Sequence, residues 1–222
     1  MKKINLKQLE RLYKLDSLQY GVDNLDPKKL HLAFYIKDFS FRNCLNPLFL
    51  LTRLVHKING DYPIDHVGYI KKVYFSKNQN KNLALTIDAL LSGVEENDFI
   101  DFIKHYRGKV IIMTLPKFDQ KIVDDFTKSV LGLPYGEISA GLAGIGSKKA
   151  KSFIREVLDL ENEEDLKDLD FKSEKIFCSF KTAILLKKLG YDIKEKTIDM
   201  TPLHVFQESA KYAEDIKLIY KN

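Results

Sequence analysis

Cysteine is scarce in this chain of 222 residues, which contains only Cys44 and Cys178. Two cysteines are too few for a disulfide framework, and the chain has no Cys-x-x-Cys pair that would indicate a metal or redox site. This cysteine usage fits a reducing compartment best. The length is sufficient for one domain with a sizeable core.

Long apolar runs are also missing. No stretch approaches the roughly 20 apolar residues that a membrane-spanning helix needs. The basic start of the chain, residues 1–12, is followed neither by the apolar region nor by the small-residue cleavage site of a signal peptide. We therefore expect a cytoplasmic protein, or one released by a route that the sequence does not show.

Neither sign of charge dominates the composition. The chain has 36 basic and 31 acidic residues, and its net charge is +5. This mild excess permits an anionic partner, such as nucleic acid, an anionic wall polymer or a lipid headgroup, but does not demand one. Acidic residues lie between the scattered lysines, so no continuous basic stripe is predicted.

The histidines show no metal-ligand spacing. His31, His56, His105 and His204 form no pattern, with one another or with cysteine, that is typical of a metal site. We expect no metal and no cofactor. Internal repeats, low-complexity tracts and an obvious domain linker are absent as well.

The pattern of apolar residues predicts strands in the middle of the chain and helices on either side. Strands are predicted at 30–36, 65–75, 82–90 and 109–115, with a polar turn at 76–81 and an edge strand at 191–198. Helices are predicted at 48–56, 97–106 and 119–131. A glycine-rich turn that begins at 142 leads into a further helix, which ends at about 160. The last two helices are predicted to begin at Cys178 and at Thr201-Pro202, and the second of these continues to about 220. This arrangement predicts an α+β fold, in which helices pack on one antiparallel sheet.

The start of the chain is predicted to form a separate element. Apolar residues over 4–18 recur with helical spacing, and Asp26-Pro27 ends this segment. We expect an N-terminal helical appendage at residues 1–27 and a single domain at 28–222.

The segment around Cys178 is the most informative in the chain. The pattern predicts a helix that begins near Cys178 and ends at Gly190. The first turn of a helix offers unpaired N–H groups and a positive dipole end, and both favour the nucleophilic thiolate over the thiol. Taken alone, Cys178 would more often be a core residue, since free cysteine is among the most buried residue types. Cys44 lies among apolar residues before a predicted helix, and we interpret it as structural.

A base for this thiol is predicted at His66, at the start of a strand. Gly68 follows on the same face, and its missing side chain would let another element, such as a helix, approach closely. In the next strand, Ala84, Thr86 and Asp88 form a small polar face, and Asp88 could accept a hydrogen bond from the His66 ring. The alternatives stay open: His66 could bond to a turn, and Asp88 could cap one.

Several short motifs follow one another in a characteristic order. They are His66-Val67-Gly68-Tyr69-Ile70, Ile87-Asp88-Ala89, Pro134-Tyr135, Phe177-Cys178-Ser179, Leu189-Gly190 and Thr201-Pro202. This order resembles the circularly permuted branch of the NlpC-like, papain-fold cysteine hydrolases, which includes YiiX-like proteins and the lecithin–retinol acyltransferase group. In that branch the histidine strand precedes the cysteine helix. The resemblance covers roughly residues 28–208.

The resemblance implies a permuted papain-like fold, whose central antiparallel sheet packs against helices that include the nucleophile helix. It implies that Cys178 is the nucleophile, His66 the base and Asp88 the orienting residue, while Ser179 and Tyr135 contribute to oxyanion or substrate binding. The implied activity is that of an amidase or peptidase, which cleaves amide or ester bonds in wall peptides, isopeptides or acylated lipids through a thioester on Cys178. Two positions depart from the family pattern: Phe180 stands where an acid often follows Cys-Ser, and Asp88 where Glu or His is frequent.

Two other functions remain open from the sequence. The first is a non-catalytic binding protein on the same scaffold. The second is a nucleic-acid-binding module that uses the turn from Gly144 to Lys149, which resembles a helix-hairpin-helix turn but is not a P-loop. An ordinary turn at the start of a surface helix would also explain this segment, and packing would explain Tyr135.

Overall fold

The computed structural model describes residues 14–15, 18–37, 64–90, 92–106, 108–135, 178–194 and 200–219. The strands in these ranges are β1 (Lys14–Leu15), β2 (Leu30–Lys37), β3 (His66–Ser76), β4 (Lys81–Leu90), β5 (Gly93–Asp98), β6 (Gly108–Leu115) and β7 (Asp215–Ile219). The helices are α1 (Leu18–Asp23), α2 (Phe99–His105), α3 (Gln120–Val130), α4 (Cys178–Lys188) and α5 (Pro202–Ser209). None of these helices combines the length and apolarity that crossing a membrane requires.

The strands form one sheet in the order β1-β7-β6-β2-β3-β4-β5. Neighbouring strands run antiparallel from β7 to β5, and only the two-residue β1 pairs parallel, with β7. The predicted α+β class with an antiparallel sheet is therefore confirmed. The strands predicted at 30–36, 65–75, 82–90 and 109–115 and the turn at 76–81 are confirmed within a residue or two.

Helices cover both faces of this sheet because alternate strand residues are apolar on each side. On one face, Leu32 and Phe34 of β2 belong to a core cluster with residues of α3, α4 and α5. On the other face, Ala33 and Tyr35 belong to a second cluster with residues of α1 and α2. The helix that carries Cys178 therefore packs on the same side of the sheet as α3 and α5.

Strand β5 was not predicted by the sequence pattern, which assigned residues from 97 onward to a helix. Asn97 instead lies opposite Thr86 of β4, and α2 begins only at Phe99. The Asp98 side chain caps this helix by accepting a hydrogen bond from the N–H of Asp101. Pairing with β4 holds the acidic residues of β5 in a strand despite their weak apolar alternation.

The end of the chain also differs from the prediction. Helix α5 ends at Ser209 instead of continuing to about residue 220, and β7 follows between β1 and β6. In β7, the apolar Ile216 and Leu218 alternate with charged residues, which is a strand period that the sequence reading missed. Of the edge strand predicted at 191–198, the described residues 191–194 are not in a strand.

The N-terminal prediction is only partly covered by the structure. Residues 14 and 15, which were expected to be helical, pair with Leu218 and Ile219. Val22 of α1 is fully buried in the second core cluster. The boundary at residue 27 stays a prediction. Outside the described residues lie the helices predicted at 48–56 and 142–160, together with Cys44, His56 and the turn from Gly144 to Lys149.

Candidate active site

Helix α4 begins at Cys178, as the sequence predicted. The Thr182 hydroxyl donates to the Cys178 carbonyl oxygen at 2.9 Å within this helix. The helix ends at Lys188. Gly190 follows with a φ of 79°, in the left-handed region, and the N–H groups of Gly190 and Tyr191 bond back to Lys187 and Leu186 in the last turn. Cys178 is the first residue of the helix and therefore lies at its positive dipole end. It is 4% exposed, so its thiol is largely shielded from bulk water.

Strand β3 begins at His66, which pairs with Tyr35 of β2. The two ring centroids lie 5.2 Å apart. The Nε2 atom of His66 lies 2.9 Å from Oδ1 of Asp88, which is fully buried on β4. The side chain of His66 is 11% exposed. The structure therefore brings His66 and Asp88 into the hydrogen bond that the alternation of the two strands suggested.

Gly68 makes room for this carboxylate. A Cβ atom at position 68 would overlap Oδ1 of Asp88 and would lie 3.1 Å from the Ile87 carbonyl oxygen. The element closest to this position is therefore β4. The sequence had suggested a helix as an example of such an element. The absent side chain is what allows Asp88 to reach the imidazole.

The pairing of β3 with β4 ends at the site. It runs from Ser76–Lys81 to Tyr69–Ile87, while His66 to Gly68 pair with β2 and Asp88 to Leu90 pair with β5. Helix α4 contacts both strands. Its Lys181 ammonium group donates to the Ile87 carbonyl oxygen, and the Val67 N–H acts to lower the pKa of the Cys178 thiol.

The thiol and the imidazole influence each other's pKa strongly. Burial acts to lower the pKa of His66, but the charge on Cys178 and the hydrogen bonds to Asp88 and Cys178 outweigh burial and raise this pKa to about 9. Burial acts to raise the pKa of Cys178, but the charge and hydrogen bond of His66, the Val67 N–H and the charge on Lys181 together lower it. Both shifts act in the direction of a thiolate and an imidazolium.

Lys181 is a residue of the site that the sequence analysis missed. It is fully buried, and its Nζ atom lies 4.9 Å from the centroid of the Tyr69 ring. Burial lowers the pKa of Lys181 to about 8, although the negative charges of Asp88 and Cys178 oppose this effect. The position three residues after Cys178 is the signal that could have identified it, because residues i and i+3 share a helix face.

Ser179 and Tyr135 are the two remaining predicted residues of the site. Ser179, the second residue of α4, is 1% exposed. Tyr135 is half-buried and packs against the core cluster that contains Cys178. Their roles in oxyanion or substrate binding stay predictions.

The other described histidines have structural contacts. The His31 ring lies between the Thr114 hydroxyl, 3.0 Å from Nδ1, and the Asp26 carbonyl oxygen, 2.8 Å from Nε2. His204 belongs to the capping box of α5, and His105 bonds to a carbonyl oxygen in its own helix. Among the described residues, no three His, Cys, Asp or Glu side chains come together in a way that could hold a metal ion.

No protein-family model matches the chain, and no curated protein is significantly similar to it.

Proposed function

We propose that this protein is a cysteine hydrolase that cleaves an amide or ester bond through a thioester on Cys178. The observation that carries the proposal is the constellation of Cys178 at the start of α4, interacting with a His66 ring that is itself bonded to Asp88 at 2.9 Å. A nucleophile, a base and a group that orients the base are the parts that nucleophilic catalysis requires.

The proposed fold is the permuted papain-like fold. It is supported by the chain order, in which the histidine strand β3 precedes the cysteine helix α4, and by the packing of α4 against an antiparallel sheet. It is also supported by the position of the acid on β4, the strand that follows the histidine strand. A nucleophile at a helix start facing a histidine at a strand start is the arrangement that the sequence resemblance implies.

The proposed mechanism is acyl transfer to sulfur. His66 holds the proton of Cys178, and the thiolate attacks the carbonyl carbon, so that a C–S bond forms and the carbonyl electron pair moves to oxygen. Collapse of this oxyanion expels the amine or alcohol, which takes the proton from His66. Water then attacks the thioester with His66 as base, and the carboxylic acid leaves.

Each group near the thiol has a defined part in this mechanism. Because Asp88 binds Nε2, Nδ1 is the ring nitrogen left to exchange a proton with the sulfur. The charge of Asp88 stabilises the imidazolium that the first step requires. The N–H of Cys178 at the helix start is the proposed oxyanion donor, and loss of one such donor typically slows catalysis by about a hundredfold or more. Ser179 and Tyr135 are proposed to contact the oxyanion or the substrate.

The proposed substrates are peptide, cell-wall or lipid amides and esters, as the sequence resemblance implies. The alternative of a non-catalytic binding protein on the same scaffold predicts a thiol with an ordinary pKa. The lowered pKa of Cys178 and the raised pKa of His66 favour the enzyme.

The decisive experiment is labelling with an alkyne-tagged iodoacetamide in a Cys44→Ser background, where Cys178 is the only thiol. At pH 7 we expect rapid labelling of Cys178 and at least about tenfold slower labelling in His66→Ala, because burial without the imidazolium disfavours the thiolate. His105→Ala is the matched control, since His105 is an exposed histidine on α2. Equal labelling rates in His66→Ala and the parent protein, with both folded by circular dichroism, would contradict the proposal.

Turnover is tested separately from thiol reactivity. With p-nitrophenyl acetate we expect a burst of p-nitrophenol and one acetyl group on Cys178 by mass spectrometry, followed by slow release. A reactive Cys178 that never becomes acylated would instead support the binding protein.

A further inference from the structure

Lys181 is a buried charge beside the candidate nucleophile. Its side chain has no exposed surface, and its ammonium group donates to the Ile87 carbonyl oxygen and faces the Tyr69 ring. A buried ammonium group is costly unless it is paired or strongly hydrogen-bonded. The hydrogen bond to the neutral Ile87 carbonyl oxygen offsets only part of this cost, and negative charges nearby offset a further part.

The geometry identifies those negative charges. Cys178 and Lys181 are three residues apart on α4 and so share a face of this helix. Lys181 donates to the carbonyl oxygen of Ile87, one residue before Asp88 on β4. Lys181 is therefore close in the fold to both groups of the site that can carry a negative charge, Cys178 and Asp88.

Electrostatic effects point in the same direction. The charges of Asp88 and Cys178 both oppose the lowering of the Lys181 pKa, and the charge of Lys181 lowers the pKa of Cys178. With a pKa of about 8, Lys181 is mostly protonated at pH 7. The buried groups Cys178, His66, Asp88 and Lys181 thus include two acids and two bases whose charges balance.

We propose that Lys181 is a positioning residue of the candidate site, whose ammonium group contacts Tyr69 of β3 and Ile87 of β4 and stabilises the Cys178 thiolate as a second positive charge beside His66. Its relevance to catalysis rests on the proposed hydrolase function, but its coupling to Cys178 does not. The alternative is that Lys181 serves only as a hydrogen-bond donor that ties α4 to β4.

Two substitutions separate charge from hydrogen bonding. Lys181→Gln keeps an N–H donor for the Ile87 carbonyl oxygen and removes the charge, while Lys181→Met removes both. Lys188→Met is the matched control, because Lys188 is exposed at the far end of the same helix. We follow the alkylation rate of Cys178 against pH in the Cys44→Ser background, since only the thiolate reacts.

The proposal expects the thiol pKa to rise by about half a unit to one unit in both Lys181 variants, because an opposite charge nearby is lost. It expects no change in Lys188→Met. A thiol pKa in Lys181→Gln equal to that of the parent protein would overturn the proposal, since the hydrogen bond alone would then suffice.

A reciprocal measurement keeps the proposal testable if the Lys181 variants do not fold. Coupling between two titrating groups is mutual, so the Cys178 thiolate must raise the pKa of Lys181 by as much as Lys181 lowers that of Cys178. We follow the 13Cε chemical shift of Lys181 against pH in the parent protein and in Cys178→Ser, and we expect a lower Lys181 pKa in the variant. An unchanged pKa would overturn the proposal.

These titrations use no substrate, so the two proposals can fail separately. If acylation of Cys178 requires His66 while the Lys181 pKa is the same in Cys178→Ser as in the parent protein, the hydrolase proposal stands and the inference about Lys181 falls. If the two groups are coupled but no acylation occurs, the inference about the thiolate stands and the hydrolase falls.

Discussion

Asp88 is the residue on which the placement of the imidazole depends. It is fully buried, one of its oxygens bonds to His66, and the other makes no hydrogen bond to a residue that the structure describes. A buried carboxylate needs positive charge close by. His66 and Lys181 are the bases that supply it, and the charge of Asp88 acts to raise the pKa of both.

Asp88→Asn tests this dependence at the residue scale. The amide oxygen can still accept from Nε2 of His66, but the negative charge is lost, so the His66 pKa should fall below its value of about 9. NMR titration of the imidazole measures this change, and labelling of Cys178 at pH 7 should slow in parallel. Asp125→Asn, which alters an exposed acid on α3, is the control and should leave both unchanged. An unaltered His66 pKa in Asp88→Asn would exclude Asp88 as its charge partner.

Gly68→Ala tests the space that the carboxylate occupies. The new Cβ would overlap Oδ1 of Asp88, so the carboxylate must rotate away and lose its bond to His66. We expect a loss of about 1–3 kcal/mol in the free energy of unfolding, typical of overpacking, together with slower labelling of Cys178. Denaturant titration measures the loss. In an Asp88→Ala background the same change should be less destabilising, and equal losses in both backgrounds would contradict the proposed clash.

At the scale of elements, the site lies where the pairing of β3 with β4 ends, at Tyr69 opposite Ile87. Helix α4 contacts both strands, and its Lys181 donates to the Ile87 carbonyl oxygen. The site is thus built by contacts between elements about ninety residues apart in the chain.

The capping of α3 provides an element-scale prediction about stability. Asp119 accepts a hydrogen bond from the Ile122 N–H at 3.1 Å, which satisfies one of the unpaired donors at the helix start. Asp119→Ala should therefore lower the free energy of unfolding by about 1 kcal/mol. Asp125→Ala removes a carboxylate from the same helix but breaks only an exposed ion pair with Lys121, so its loss should be clearly smaller than that of Asp119→Ala. Urea denaturation measures both variants, and similar losses would show that the cap has no special role.

For the whole molecule, His31 links pH to stability. It connects the Asp26 turn to Thr114 of β6, and burial lowers its pKa in the folded protein. The unfolded chain binds a proton at His31 near its ordinary pKa of 6.5, whereas the folded protein resists protonation. Above this pH both states are neutral at His31 and the residue adds no pH dependence, but stability should fall as the pH drops below 6.5.

His31→Gln provides the measurement for this linkage. Glutamine keeps a donor for the Asp26 carbonyl oxygen but does not titrate, so the variant should lose less stability than the parent protein between pH 7 and pH 5. The difference between the two proteins isolates His31 from His66 and Cys178, whose pKa values also change on folding. Identical slopes of unfolding free energy against pH would contradict the prediction.

The sequence by itself determined the local features of this protein. Apolar alternation was sufficient for β2, β3, β4 and β6, and Cys178 and Gly190 marked the two ends of α4. The approach of Asp88 to His66 also followed from sequence, because two adjacent antiparallel strands joined by a short turn leave little freedom in their register.

Only the tertiary structure decided the features that depend on distant partners. Strands β5 and β7 have weak or short patterns, and pairing with β4 and β6 makes them strands. The burial of Lys181 follows from the packing of α4 against β3 and β4, and the need for glycine at position 68 follows from the carboxylate opposite it. Charge burial and close contact are properties of the assembled core. The local spacing of apolar residues in the chain carries no information about which residue lies opposite in that core.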